Sequence, residues 1–494
     1  MTSTSAAAHL PIRIIFSLAL EAARRLENLT MSDKNALIQP DRGQKAIAIH
    51  LVDKDGLDTF LKERTPAQRA ALAAHKFEAD GYQYAIMPDG DDWAVAAGVA
   101  NTAELSSWCM SKLAQKLPAG TYRRAGGEPG PAIFGWITGQ YRFERYLSEP
   151  DEEGPRVLLT GEPASISAIT AEAEAAMLVR DLVNTPAEDM GPAQLEAEAE
   201  NLHKTFRAEI RVTRGDALEH EFPMVHMVGR AAARSHAPRM IELEWGDPKH
   251  PRLAVVGKGV CFDSGGLDIK PGSGMLLMKK DMGGAAHALA LARLIMHNQL
   301  PVRLHLLVPA VENAVSGNSF RPGDVLRSRA GISVEIGNTD AEGRLILADA
   351  LARAGENEPD LVIDFATLTG AARVAVGPDL PALFTREDAT ADGLLAAGKA
   401  HDDPCWRLPL HEGYREYLKS EVADINNAGS SGFAGASTAA LFLDKFVPKG
   451  TDWAHLDTFA WRPTEKPGRS KGGAALGLRA TWHMLRQRYD KLEG

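Results

Sequence analysis

From residue 45 onward, apolar and polar positions fall into short regular blocks. KAIAIHL (45–51) alternates with the period of a half-buried strand, and KERTPAQRAALAAHKF (62–77) has the spacing of a helix. YQYAIMP (82–88), WAVAAGV (93–99) and AIFGWIT (132–138) read as further short strands. Together they predict a small N-terminal α/β domain over 45–150. SEPDEEGPRV (148–157) is acidic and rich in turn formers. SAITAEAEAAMLVRDLVN (167–184) is helix-like and stops at Thr185-Pro186. Residues 151–190 therefore read as a linker and a connecting helix. Within 191–494, strand-like RLAVVG (252–257), VRLHLLVPA (302–310) and LVIDFAT (361–367) alternate with helix-like stretches at 283–298 and 342–355. That alternation predicts a larger C-terminal α/β domain, a mixed sheet flanked by helices.

Residues 1–44 precede these blocks and read as an N-terminal extension, partly disordered. PIRIIFSLAL (11–20) is apolar, but no basic start precedes it and Glu21, Arg24 and Arg25 follow at once, unlike a secretory signal. Met31, ahead of SDKNALIQ, reads as the translation start, with 1–30 upstream of it.

The chain has 494 residues, more than one core holds, which agrees with two domains. Its formal net charge of -10, with no basic run, argues against nucleic acid as a partner. Cys109, Cys261 and Cys405 are far apart and odd in number. A disulfide framework or thiolate zinc site is thereby disfavoured, and a reducing compartment, the cytoplasm, is expected. No run approaches the roughly 18 consecutive apolar residues of a membrane span, so no membrane partner is expected.

The chemistry gathers in two segments. After the strand RLAVVG comes KGVCFDSGGLDIKPGSGMLLMKKDMGGAAHALALA (258–292), a glycine-rich loop leading into a helix. It places Lys258, Asp263, Lys270 and Asp281 at one end of the sheet, where α/β sites form. The second segment is NTDAEGRLILADAL (338–351), after the strand-like ISVEI (332–336). Its Asp340 and Glu342 fit an ordinary capped helix start. They also fit a cation site, because three or four converging carboxylates do not all stay ionised without one. Oxygen-rich donors suit Mg, Mn or Zn, and a nearby dication would let a lysine amine ligate. Lys270 and Arg344 would then remain to stabilise developing negative charge. Singly, Asp263 also fits a turn cap and Lys258 a solvated loop charge; together the two segments point to a metal centre.

VGKGVCFDSGGLDIKPGSGMLLMKKDMGGAA and NTDAEGRLILADAL resemble the two signature blocks of the leucyl aminopeptidase family, the M17 or cytosol aminopeptidases. VENAVSGNSFRPGDVL (311–326), DFATLTGAARVAVG (364–377), ADINNAGSSGFAGASTAALFL (423–443) and WAHLD (453–457) extend the likeness over most of 178–490. The N-terminal part is similar chiefly in YRFERY (141–146). The resemblance implies a dinuclear metal aminopeptidase that releases leucine or other apolar N-terminal residues from short peptides. It implies a tight metal site at Lys258, Asp263, Asp281 and Glu342, and an exchangeable one at Asp263, Asp340 and Glu342. The ions would be Mn or Zn. It makes Lys270 the group that polarises the scissile carbonyl and steadies the gem-diolate. It gives Arg344 a bicarbonate that serves as general base. Met278, Thr367, Gly370 and Phe459 would line the side-chain pocket, and the assembly would be a homohexamer.

Some positions depart from the family. Leu276 stands where many relatives carry an acid, which removes no ligand. Phe459, in LDTFAW (456–461), replaces a small residue, so it either narrows the pocket, putting leucine preference in question, or is plain core. Cys261 reads as a small packed residue and His287 as a packed apolar-face histidine. HEFPMVH (220–226) has the wrong spacing for HExxH, and neither GxSxG nor GxxxxGK[ST] occurs. Two other functions are consistent with such a chain: a Cys-Gly-type dipeptidase, and a non-catalytic DNA-binding or regulatory role.

Overall fold

The computed structural model describes residues 37–149 and 153–490. The expected upstream segment 1–30 lies outside the described residues. A six-stranded sheet comes first: β1 (Ile38–Pro40), β2 (Ile47–Val52), β3 (Tyr84–Asp89), β4 (Asp92–Gly98), β5 (Gly120–Ala125) and β6 (Arg156–Thr160), in the order β1-β6-β5-β2-β4-β3. Only β3 pairs antiparallel, with β4. The sheet reaches beyond 45–150 on both sides. Ile38–Pro40, expected within the extension, pairs with β6, part of which was expected to be linker.

Two helical expectations are corrected. AIFGWIT is a helix, Ala132–Gly139, not a strand. All its residues are buried, so no polar face marks the period, and a short apolar run alone does not separate the two states. A Cβ at Gly135 would stand 2.1 Å from the Ser107 carbonyl oxygen, so the helix backbone runs against its neighbour. The single helix expected over 62–77 is two, Leu57–Lys62 and Pro66–Ala74. Thr65 caps the second through a reciprocal capping box with Gln68, and Pro66 cannot continue the first.

The helix Pro163–Asn184 joins the halves. Ala173, Ala176 and Met177 pack into the small core, and Ala175, Val179 and Val183 into the large one. The larger domain holds β7 (Glu209–Arg214), β8 (Arg239–Trp245), β9 (Arg252–Gly257), β10 (Gly259–Asp263), β11 (Arg303–Asn313), β12 (Val325–Arg327), β13 (Ser333–Glu335), β14 (Leu361–Ala366), β15 (Ala382–Thr385), β16 (Trp406–Arg407), β17 (Ile425–Asn426) and β18 (Asp452–Asp457). The main sheet runs β16-β15-β18-β14-β9-β11-β8-β7, with β10 also on β11; β12, β13 and β17 form a small separate sheet. It is mixed, as expected: β18, β14, β9 and β11 are mutually parallel, while β8 and β15 pair antiparallel with their neighbours β11 and β18.

The period-two rule sorts the central strands. Leu253 and Val255 of β9 face the helix Gly283–His297; Ala254 and Val256 face the helix Glu342–Gly355. Both faces are covered, so the parallel strands end in loops at one shared edge. Lys258 follows β9, Asp263 ends β10, Thr367 follows β14 and Asp457 ends β18.

Candidate metal centre

At that edge, close backbone packing comes before chemistry. A Cβ at Gly284 would lie 2.1 Å from the Phe365 carbonyl oxygen, so only glycine lets this helix seat against β14. Asp281 is thereby fixed in the turn before the helix. Gly265 and Gly266 sit at φ +89° and +64°, folding the loop so that Lys270 returns toward Asp263.

Six expected residues meet here. Lys258 Nζ lies 2.6 Å from Asp281 Oδ2 and 2.9 Å from Glu342 Oε1. Lys270 Nζ is 2.8 Å from Asp263 Oδ2 and also pairs with Asp340. Oxygens of Asp263, Asp340 and Glu342 lie within 4.8 Å of one another. Arg344, Met278, Thr367, Gly370 and Phe459 line the same cavity of about 450 Å³. Leu276 points outward at 79% exposure, while Cys261 and His287 are fully buried. His287 Nδ1 donates to the Gly283 carbonyl and Nε2 accepts from the Leu476 amide, a packed histidine with both nitrogens used.

The helix-start reading of NTDAEGR holds for Glu342 but not for Asp340 as the cap. The cap residue is Ala341, without a side-chain bond, and Glu342 opens the helix. Asp340 lines the cavity, while buried Glu342 meets Lys258 through its Oε1.

Sequence reasoning passed over several supports. Asn313 Nδ2 donates to Asp263 Oδ1 at 2.8 Å, leaving the other oxygen for the cavity. Thr367 Oγ1 donates to Asp281 Oδ1 at 2.8 Å. Asn427 accepts from Arg344 Nη1 through its carbonyl and ties down the turn before Asp340. Lys280, buried beside Asp281, donates to its Oδ1 at 3.1 Å. Lys280 stood inside a quoted motif, where a second lysine against an acid was the available signal; Asn313 and Asn427 carried none.

The electrostatics show an excess of buried acid. Burial, reinforced by the Asp263 charge, pushes the Glu342 carboxyl up to about 8 and the Asp340 carboxyl up to about 6. Burial also works to raise Asp281, but Lys258 and Lys280 hold it well below the usual carboxylate range. Burial opposes charge on Lys258, yet Asp281 and Glu342 outweigh it and hold the amine above its usual range. Glu342 Oε1 and Asp281 Oδ2 have no aligned hydrogen-bond donor, although the Lys258 ammonium stands between them. Four carboxylates around three ammoniums, those of Lys258, Lys270 and Lys280, with buried oxygens left over, form a donor set that fits divalent cations. Arg344 is half-buried, its Nε is without a partner, and desolvation lowers its pKa to about 10.

Fold and donor set together define an α/β protein with a site for divalent cations at the ends of its parallel strands. Comparison with known proteins narrows the class. The profile of the cytosol aminopeptidase family, catalytic domain, matches residues 177–481, and that of the M17 aminopeptidase N-terminal domain matches 47–158. A probable cytosol aminopeptidase of Syntrophotalea carbinolica is 41% identical over 372 residues, covering 72% of this chain and 74% of the relative. The crystal structure of a cytosol aminopeptidase from Coxiella burnetii superposes with a TM-score of 0.87 at 45% identity, covering 92% of this chain and 99% of that one. The bottromycin maturation enzyme BotP in complex with Mn superposes with a TM-score of 0.81 at 32% identity, covering 90% of this chain and 100% of that one. The chain belongs to the cytosol aminopeptidase family, the M17 metalloaminopeptidases.

Proposed function

We propose that the cavity binds two divalent ions and removes single residues from the free amino end of short peptides. The observation that carries this is the convergence of Lys258, Asp263, Asp281 and Asp340, with Lys270 and Arg344, on one pocket, with buried Glu342 against Lys258 and beside the Asp263 and Asp340 carboxylates. Lys258, Asp263, Asp281 and Glu342 would hold one ion; Asp263, Asp340 and Glu342 the other, with Asp263 and Glu342 shared. When bound, such a pair supplies a water of lowered pKa and polarises an amide carbonyl. Lys270 donates toward the carbonyl oxygen as negative charge grows there. The unpaired Arg344 Nε suits a small oxyanion, and bicarbonate there would take a proton from the attacking water. A free substrate α-amine fixes register in an acid-lined pocket, and acetylation would remove both its charge and its lone pair.

Mn or Zn is the expected metal; Mn is present in the BotP structure. The names of the relatives support a cytoplasmic location, and no described helix is long and apolar enough to cross a membrane. A homohexamer is expected, and sedimentation would read it directly.

The test is hydrolysis of Leu-Gly, Met-Gly and Cys-Gly beside N-acetyl-Leu-Gly, using metal-stripped protein with and without Mn or Zn. Metal-restored cleavage of the free-amine peptides alone is expected, and the panel ranks Cys-Gly against the rest. Absence of cleavage with two ions demonstrably bound would refute the assignment.

A further inference from the structure

The wall of the cavity beside Asp281 carries cations that the metal centre does not need. Lys280 is 4% exposed, and Asp281 is its one hydrogen-bond partner among the described residues. Its ammonium therefore keeps two N–H donors. Asp281 is already compensated on its other oxygen by Lys258 and bonded by Thr367. The Lys280 Nζ stands 5.8 Å from the centre of the Phe459 ring, and the Arg373 guanidinium lies 4.6 Å over the same ring. Arg373 is exposed and in no ion pair among the described residues. Gly370 lines the cavity beside it, 3.7 Å being an ordinary contact between a Cβ there and Arg373 Nη2. Met278 and Thr367 complete the wall.

We propose that this wall selects peptides whose N-terminal residue is acidic, glutamate or aspartate, with Lys280 as the specificity-determining cation and Arg373 at the rim. The inference rests on the aminopeptidase reading of the cavity. A leucine side chain seated here would cover the Lys280 ammonium and leave its spare donors without acceptors, which is costly in a buried site. A side-chain carboxylate accepts from Lys280 and gains the field of Arg373. A site built to hydrogen-bond a substrate group discriminates strongly against analogues that lack it. Phe459 lines the pocket with its ring beside both cations.

The experiment compares kcat/KM of the Mn-loaded protein for the p-nitroanilides of glutamate, aspartate, glutamine and leucine. The wild type is expected to cleave the glutamyl substrate about tenfold or more faster than the leucyl one. Lys280→Met is expected to lower the Glu:Leu ratio by about tenfold or more, and Lys280→Arg to keep the order. Because both substrates are measured on one preparation, any loss of metal divides out. A wild type that prefers leucine overturns the proposal even if neither variant folds. An unchanged ratio in Lys280→Met overturns it as well. No turnover of any free-amine substrate by metal-loaded protein would sink the aminopeptidase reading together with this one; leucyl cleavage without glutamyl cleavage would sink this one alone.

Discussion

Gly343 offers a perturbation that adds no charge and removes no side-chain donor. It sits in the first turn of the helix Glu342–Gly355, directly against the Lys258 side chain. A Cβ there would stand 2.4 Å from Lys258 Cε, 2.6 Å from Nζ and 2.8 Å from Cδ. Ordinary carbon contacts lie near ~3.5–4.0 Å, so Gly343→Ala forces the lysine tip back by roughly 1 Å. Lys258 has little room to yield: it is 3% exposed and wedged between Asp281 and Glu342. Alanine itself favours a helix over glycine by about 1 kcal/mol, and a side-chain tip moves more easily than backbone. The fold should therefore persist, with Tm within a few degrees of wild type. Moving a proposed ligand by roughly 1 Å is worth about 10²-fold in turnover. The expected result is kcat/KM down about 100-fold at limiting Mn, with partial recovery in excess Mn. Gly272→Ala, in the same loop system but with nothing within 4 Å of the new methyl, should behave as wild type. A Gly343→Ala protein with unchanged Mn titration and turnover would refute the placement of Lys258 as a ligand.

Glu342→Gln should abolish the Mn-induced rise in Tm and lower turnover by about 10³-fold or more, as expected for loss of a shared ligand; wild-type Mn stabilisation in this variant would count against a bridging role. In the metal-free wild type, folded Glu342 holds its proton up to about 8 against an ordinary 4.5. The stability this group contributes is therefore full below about 4.5 and lost as pH rises through about 8, and Asp340, raised to about 6, adds to the same trend. Because a cation displaces those protons, Mn should raise Tm more at pH 8 than at pH 6, and a pH-independent increment in thermal unfolding would contradict this. Asp349 is buried and accepts from the backbone amides of Met224 and Arg329 at 2.8 Å and Val225 at 3.4 Å. Asp349→Ala should cost about 2–4 kcal/mol by stranding these donors, seen as a lower Tm with unaltered metal affinity; an unchanged Tm would show that water replaces the carboxylate.

Local pattern carried far where an element is closed by sharp punctuation or continues long enough to declare its period. The strand RLAVVG and the helix over 342–355 fall at the expected bounds, and the helix ending at Asn184 does too. The NTDAEGR and DSGG segments disclosed the acids because those residues are close in sequence and flank recognisable strands and helices. By itself, then, the sequence determined the class of fold and the family, and pointed to the carboxylates and to Lys258 and Lys270, but not to Lys280. Only the tertiary structure decided the rest. AIFGWIT is buried all round, so its helical period left no trace. Ile38–Pro40 gains strand pairing from β6, more than a hundred residues away, which no window along the chain contains. Asn313 reaches Asp263 across 50 residues, and Asn427 reaches Arg344 across 83. Whether Lys280 is a solvated charge or a buried wall of the pocket depends on Phe459 and Asp281 being brought against it. Periodicity records which face of an element meets solvent; partners from distant strands are set by how the sheet edge closes, and that closure is a property of the whole packed chain.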